Sequence, residues 1–281
     1  MKFDRILLSH GSGGKLSHQL VQDVFVKAFD NEFLSVLNDQ AIFHIHASRL
    51  AFTTDSYVVN PVFFPGGDIG KLSVCGTIND LAVGGAEPLY LSASFILEEG
   101  IPAGELKAIV GSMAATAHAA GVKIITGDTK VVERGKGDGE FITTTGVGVV
   151  PVGVEISGDR ARPGDRILVS GTMGDHGVAI MSLRENLTFE TTIRSDTAAL
   201  HRLVAAMIAA VPGIRCLRDP TRGGLATTLN ELARQSGCGM VIAEQRIPVQ
   251  GQVNAACEFL GLDPLYVANE GKLVAICPAA D

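Results

Sequence analysis

The chain has 281 residues, 46% of them hydrophobic and 19% charged, with 33 glycines and a formal net charge of −7. The acidic balance excludes a broad basic surface for nucleic acid or anionic lipid, and the apolar fraction excludes a disordered chain. The length exceeds a usual single domain of roughly 100–150 residues, so two domains of α/β or α+β type are expected.

The five cysteines, Cys75, Cys216, Cys238, Cys257 and Cys277, are odd in number and lack the close pairs of a zinc ribbon or redox motif. They read as reduced core residues. No N-terminal apolar h-region and no run of about 18 apolar residues occurs, so neither a signal peptide nor a membrane span is expected and the location is cytoplasmic.

Residues 6–20, ILLSHGSGGKLSHQL, form a glycine-rich stretch with Lys15 after Gly13 and Gly14. A Walker A loop needs Gly where Ser9 stands and Ser or Thr where Leu16 stands, so this is not a P-loop. A phosphate-approaching loop and a plain terminal tail both stay open. A short helix with Leu20, Val24, Phe25 and Ala28 on one face follows. Two alternating strands come next, NDQAIFHIHA and RLAFTTDSYVV, with Asp39 and Asp55 at comparable positions. His44 and His46 share a strand face and read as solvated, since no third metal ligand accompanies them.

Ile69, Leu72, Cys75, Ile78 and Leu81 recur every three residues into GTINDLAVGGAEP, residues 76–88, where glycines and Pro88 stop a helix. Asn79 and Asp80 fall in its last turns. Alone they read as a solvated terminus; beside Asp39, Asp55 and Asp128 they suggest a cation site built from scattered elements. PLYLSASFIL is a strand, and residues 102–121 form a helix with Leu106, Ile109, Met113 and Ala117 inward. VKIITGDTKVV is expected as a buried strand running into a turn at Gly127, Asp128, Thr129 and Lys130, the composition of a metal–phosphate site at a strand's end. FITTTGVGVVPVG closes this half.

ISGDRARPGD marks a domain boundary near residue 155. RILVSG is a strand, TMGDHGVAIMSLREN a loop and helix, and residues 198–211 a helix. DPTRGG places Asp219, Thr221 and Arg222 before the next helix, as an anion site or as an ordinary N-cap. MVIAEQ is expected as a strand, QVNAACEFLGLDP as a helix, and VANEGKLVAIC as a strand preceded by Asn269 and Glu270.

HGSGGK, NDQA, TTDSYV, PVFFPGGDIGKL, GTINDLAVGGAEP, FILEEG, TGDTKVV, SGTMGDHG, DPTRGG and NEGKL stand in an order and spacing that resemble the HypE family. These are the carbamoyl dehydratases of [NiFe]-hydrogenase maturation, within the aminoimidazole ribonucleotide synthetase superfamily. The resemblance covers essentially the whole chain. It implies an α+β fold of two domains: residues 1–35 as a glycine-rich loop and helix, 36–155 as an ATP-binding and dimerisation domain, and 156–281 as an incomplete C-terminal α+β domain. The N-terminal mixed sheet is expected to pair into a barrel in a homodimer.

The implied reaction is ATP-dependent dehydration of an S-carbamoyl group on a C-terminal Cys to a thiocyanate, the source of an iron cyanide ligand. Magnesium would be held by Asp39, Asp55, Asp80 and Asp128, and the nucleotide by Gly11, Gly13, Gly14, Lys15, Asn79 and Thr129. Lys130 and Glu270 are candidates for proton removal, and Asp219 and Arg222 for the substrate channel. The implied partners are the carbamoyltransferase HypF and an iron-carrying HypC–HypD complex, with no nucleic acid or membrane. The family ends in a terminal Cys, whereas this chain ends at Asp281 and Cys277 closes an apolar strand. That departure implies an incomplete chain, inactive in the full reaction. Alternatives in the same superfamily are a selenophosphate synthetase or a thiamine-phosphate kinase; a non-catalytic nucleotide-binding assembly partner is the alternative from another class.

Overall fold

The computed structural model describes residues 14–20, 22, 36–38, 41–45, 48–185 and 193–279. In chain order the elements are α1 (Gly14–Leu20), β1 (Ala41–Ile45), β2 (Ser48–Tyr57), β3 (Phe63–Phe64), β4 (Gly67–Asp68), α2 (Ile69–Val83), β5 (Glu87–Glu98), α3 (Ala103–Ala120), β6 (Lys123–Val132) and β7 (Glu140–Val150). There follow β8 (Arg166–Val169), α4 (Asp175–Arg184), α5 (His201–Ala210), β9 (Cys216–Arg218), α6 (Gly224–Ser236), α7 (Gly251–Leu260) and β10 (Val274–Cys277). The first sheet runs β1-β2-β7-β5-β6, with β5 and β6 parallel and the other neighbours antiparallel; the second runs β8-β10-β9. The fold is α+β, as expected.

α2 organises the molecule. Asp68 caps it, accepting the Lys71 N–H at 3.0 Å. A helix that is apolar all round must be covered all round. One side lies on β2 and β7, another on α3, and its C-terminal half meets α5 and β9 of the second domain. Two glycines permit that fit. A Cβ on Gly70 would stand 2.4 Å from the Ile109 carbonyl of α3, and one on Gly76 2.3 Å from the Tyr57 hydroxyl. Ile69, Leu72, Ile78, Ile109, Met113 and Ile142 form the core between sheet and helices, and Ala82 and Val83 extend it to Leu217 and Leu273.

Three expectations are corrected. KIITGDTKVV does not turn at Gly127: β6 runs on to Val132 as the edge strand, with nearly every residue exposed. Its apolar run therefore reflects an uncovered edge and not a buried strand. Residues 240–245 form no strand, because they pair with no neighbour; Glu244–Arg246 is a single 3-10 turn. The helix expected at 198–211 starts at His201, since Asn79 takes the Ala198 carbonyl and the Leu200 N–H. Most of the helix expected through Phe25 and Ala28, and His46, lie outside the described residues.

Glu140 is the anomaly of the core. It lies in the α2-facing row of β7, in register with Leu97, and is 3% exposed. Neither carboxylate oxygen has a hydrogen-bond partner among the described residues. Burial first, then the charges of Glu105 and Asp68, push its pKa up to about 7. A raised carboxylate pKa means that stability is fully present below the unfolded value of about 4.5 and is lost as pH rises through 7. In urea unfolding, Glu140→Met should therefore gain about 1–3 kcal/mol over wild type at pH 8, and much less at pH 5. A gain independent of pH would contradict this reading.

Candidate active site

The polar end of α2 meets β2 on the sheet face beneath it. Ala51, Thr53, Asp55 and Tyr57 point toward α2, because side chains alternate along a strand. Thr53 Oγ1 donates to Asp80 Oδ2 at 2.9 Å. The Tyr57 hydroxyl shares a 3.3 Å hydrogen bond with Thr77, which in turn meets Thr144 Oγ1 at 2.5 Å. Burial chiefly, then Asp55 and Asp80, and last Glu270, hold the Tyr57 phenol well above its usual pKa, with the Thr77 bond opposing. Three carboxylates from three parts of the chain thus act on one buried hydroxyl.

The second domain supplies Glu270 from the turn before β10. Asn269 is fully buried and fixes that turn: its Oδ1 accepts the Gly174 N–H at 2.7 Å, and its Nδ2 donates to the Pro220 and Val267 carbonyls, both at 3.1 Å. One amide thereby joins the SGTMGDHG, DPTRGG and NEGKL motifs. Asp196 Oδ1 accepts the Glu270 N–H at 3.1 Å and its Oδ2 the Gly271 N–H at 3.2 Å. A Cβ on Gly271 would lie 1.8 Å from the Asp196 carbonyl, so only glycine fits there. Lys272 Nζ stands 3.8 Å from Asp196 and 4.0 Å from Asp175.

Burial first, then Asp219, Asp196 and Asp55, hold the Glu270 carboxyl well above the usual carboxylate range, with Arg222 pulling the other way. Arg222 Nη2 reaches across the junction to 3.9 Å from Asp55 Oδ1; its side chain is 69% exposed, so the pair itself is weak. Nearby, burial and then Arg184 push His176 down to about 4, leaving a neutral ring whose Nδ1 shares a 2.8 Å hydrogen bond with Ser195. Cys75, pushed up to about 12 by burial, is an inert thiol.

The expected residues divide into three groups. Asp55, Asp80, Asp219, Arg222 and Glu270 converge at the junction. Asp128 and Lys130 do not join them within one chain. β6 register aligns them with Ser94 and Ile96, which alternate with the α2-facing Ala93 and Leu97 and so project from the opposite face. Asp55, Thr144, Ala93 and Gly127 form one row across the sheet, so Asp128 also lies about three strand spacings, roughly 14 Å, from Asp55. Thr129, in register with Phe95, stays on the α2 side but is exposed. Among the described residues no group of three or more His, Cys, Asp or Glu lies close enough to hold a metal ion.

Gly11, Gly13 and Asp39 lie outside the described residues. Gly14 and the exposed Lys15 begin α1. Asn79, expected at the nucleotide, is instead buried, with its amide committed to the second domain. Sequence reading missed Asp196, Lys272, Asn269 as a staple, and Tyr57; an Asp beside Ser195 and Thr197 in a turn-forming run was the available signal for the first.

Two family models match, AIR synthase related protein, N-terminal domain, over residues 37–150, and AIR synthase related protein, C-terminal domain, over 162–281. Carbamoyl dehydratase HypE of Cupriavidus necator is 68% identical over 282 residues, spanning 100% of this chain and 80% of that protein. The chain belongs to the HypE family. HypE of Azotobacter vinelandii is 67% identical over 270 residues, spanning 96% of this chain and 79% of its own. Among solved structures, a HypE–HypF complex matches with TM-score 0.89 and 51% identity over 93% of this chain and 85% of that one. A HypE in complex with ATP matches with TM-score 0.82 and 54% identity over 98% and 82%. An AaThiL complexed with AMPPCP and TMP shares the fold, with TM-score 0.78 over 99% of this chain and 89% of that one, at 19% identity. No helix among the described residues is long and apolar enough to cross a membrane.

If Asn269 staples the three HypE motifs, Asn269→Ala should lower unfolding free energy by at least about 2 kcal/mol, since a donor and two acceptors lose their partner. A loss below about 0.5 kcal/mol in denaturant titration, the scale of an ordinary surface change, would show that the turn is held elsewhere.

Proposed function

We propose that this chain carries out the HypE dehydration, converting an S-carbamoyl cysteine to an S-cyano cysteine at the expense of ATP. The observation that carries the reading is the approach of Asp55, Asp80, Asp219 and Glu270 to one junction, which Arg222 enters 3.9 Å from Asp55. Among the described residues these carboxylates form no ready-made metal site, but acids turned toward one junction fit a divalent cation arriving with a nucleotide better than a naked anion. Magnesium there would neutralise phosphate charge. Asp55 and Asp80 would hold it, with Thr53 orienting Asp80, and Thr129, Gly14 and Lys15 would meet the nucleotide.

The chemistry needs a leaving group and a base. The carboxamide oxygen attacks the γ-phosphorus, ADP departs, and an N–H proton is lost. The C–O bond then breaks, phosphate leaves with that oxygen, and loss of the second N–H proton completes the C≡N bond. Glu270 is the proton acceptor; its raised pKa makes it a stronger base than an ordinary carboxylate, and cations near Asp55 favour its ionised form. Lys130 assists from the other side of the site, and Asp219 and Arg222 guide the thiocarbamate in.

Because Asp128 and Lys130 project from the opposite sheet face, they serve the site of a second copy. The exposed β6 edge with Ile125, and the outward Phe52, Tyr90 and Ile96, give two copies an apolar face on which to close a barrel. The carbamoyl donor is HypF, named with a HypE in the solved complex, and the cyanide passes to a HypC–HypD complex.

The test supplies ATP, magnesium and an S-carbamoyl-cysteine peptide to the purified chain and follows loss of one water from the peptide by mass spectrometry. Turnover should depend on ATP, fall at least about 100-fold in Asp80→Asn, and fall comparably in Glu270→Gln and Lys130→Ala. Turnover unchanged in both Glu270→Gln and Lys130→Ala would remove them as proton acceptors, and absence of any turnover in wild type would sink the assignment.

A further inference from the structure

We infer that Asn79 and Asp196 are positioning residues that clamp the backbone of Glu270 at a fixed distance from Asp80; this rests on the dehydratase reading above. The two ends of Glu270's backbone are held by different domains. Its carbonyl accepts from Asn79 Nδ2 at 3.3 Å, on the last turns of α2 and one residue from Asp80. Its N–H donates to Asp196 Oδ1 at 3.1 Å, in the segment leading to α5.

The same two side chains also fasten that segment. Asn79 Nδ2 donates to the Ala198 carbonyl at 3.0 Å, and Asn79 Oδ1 accepts the Leu200 N–H at 2.8 Å. Ala198 N–H in turn donates to the Glu270 carbonyl at 3.4 Å. Asn79 is 1% exposed, and its three hydrogen bonds use both ends of the amide, leaving it no free face toward a nucleotide. Asp196, with a side chain 2% exposed, accepts the Gly271 N–H with its other oxygen and has Lys272 at 3.8 Å as its counter-charge. The proton acceptor therefore does not hang from a free loop. It is tied to the helix that presents Asp80 directly by Asn79, and indirectly by Asp196 through the segment that Asn79 also holds, so that phosphate activation and proton removal share one rigid frame.

A ligand role and a positioning role give opposite patterns in binding and rate. Asn79→Ala should bind ATP with magnesium within about two-fold of wild type, yet dehydrate S-carbamoyl-cysteine peptide at least about ten-fold more slowly at saturating substrates. Because Asn79 is buried and its alanine variant can fail to fold, Asp196→Asn and Asp196→Ala form a second, independent series. The asparagine retains one acceptor for the Glu270 N–H and should recover part of the rate that the alanine loses, again with ATP affinity near wild type. A ten-fold loss of ATP affinity in Asn79→Ala would make it a nucleotide ligand and overturn the inference. Wild-type rates in the folded Asp196 variants, with the wild-type chain itself turning over, would overturn it too. No turnover in wild type would instead strike at the dehydratase reading.

Discussion

Thirteen of the 15 residues of α2 are buried, and no arrangement of one sheet and one helix layer can cover a helix so completely. The first domain covers it with β2, β7 and α3, and the second with α5 and β9. Burial of α2 thus fixes the relation of the two domains. The cost of such burial falls on its polar side chains, which must find partners inside. Thr77 finds Tyr57 and Thr144, Ser73 finds the Gly70 carbonyl at 2.9 Å, and Asn79 finds the second domain. Asp80, half-buried at the rim, is the one charged group of the helix's second half, and it stands where the two domains meet.

From that placement follows the electrostatic character of the junction. Carboxylates of β2, α2, the DPTRGG loop and the NEGKL turn act on this junction, and burial first, with their repulsion added to it, raises the affinity of Tyr57 and Glu270 for their protons. A protein that keeps such a field under stable folding has a use for cations there. The network of Asp196, Lys272, Asp175 and Asn269 has a different task. It holds the backbone turn on which Glu270 rides, with Asp196, Asp175 and Asn269 almost entirely buried and Lys272 reaching in as the aspartates' counter-charge.

Much of this was legible in the residues. Periodic apolar spacing located α2 and α3, alternation located β2, residue type drew attention to Asp55, Asp80 and Arg222, and the family resemblance brought in Glu270. What spacing could not reveal is the phase of an edge strand. The β5–β6 register shifts by one residue between Leu91 and Ser92, where Ser92 pairs with Thr126 instead of Ile125. That bulge turns Asp128 and Lys130 to the face away from α2. Residues 240–245 failed for the complementary reason: a sequence with strand character becomes a strand only beside a partner. The role of Asn79 was hidden because an amide at a helix end looks alike whether it caps, binds ligand or crosses to another domain.

Asp80 and Asp128 therefore lie on opposite sides of the sheet within one chain, and we propose that two copies complete each other. The direct measurement is complementation between Asp80→Asn and Asp128→Asn, each assayed alone and after unfolding and refolding together. If a site takes Asp80 from one copy and Asp128 from the other, each variant alone is inactive, while every mixed dimer regains one intact site. A random mixture should then recover about a quarter of wild-type dehydration, half of the dimers being mixed with one of two sites restored. No recovery in a mixture shown to contain mixed dimers would place both carboxylates in the same chain's site and contradict the account.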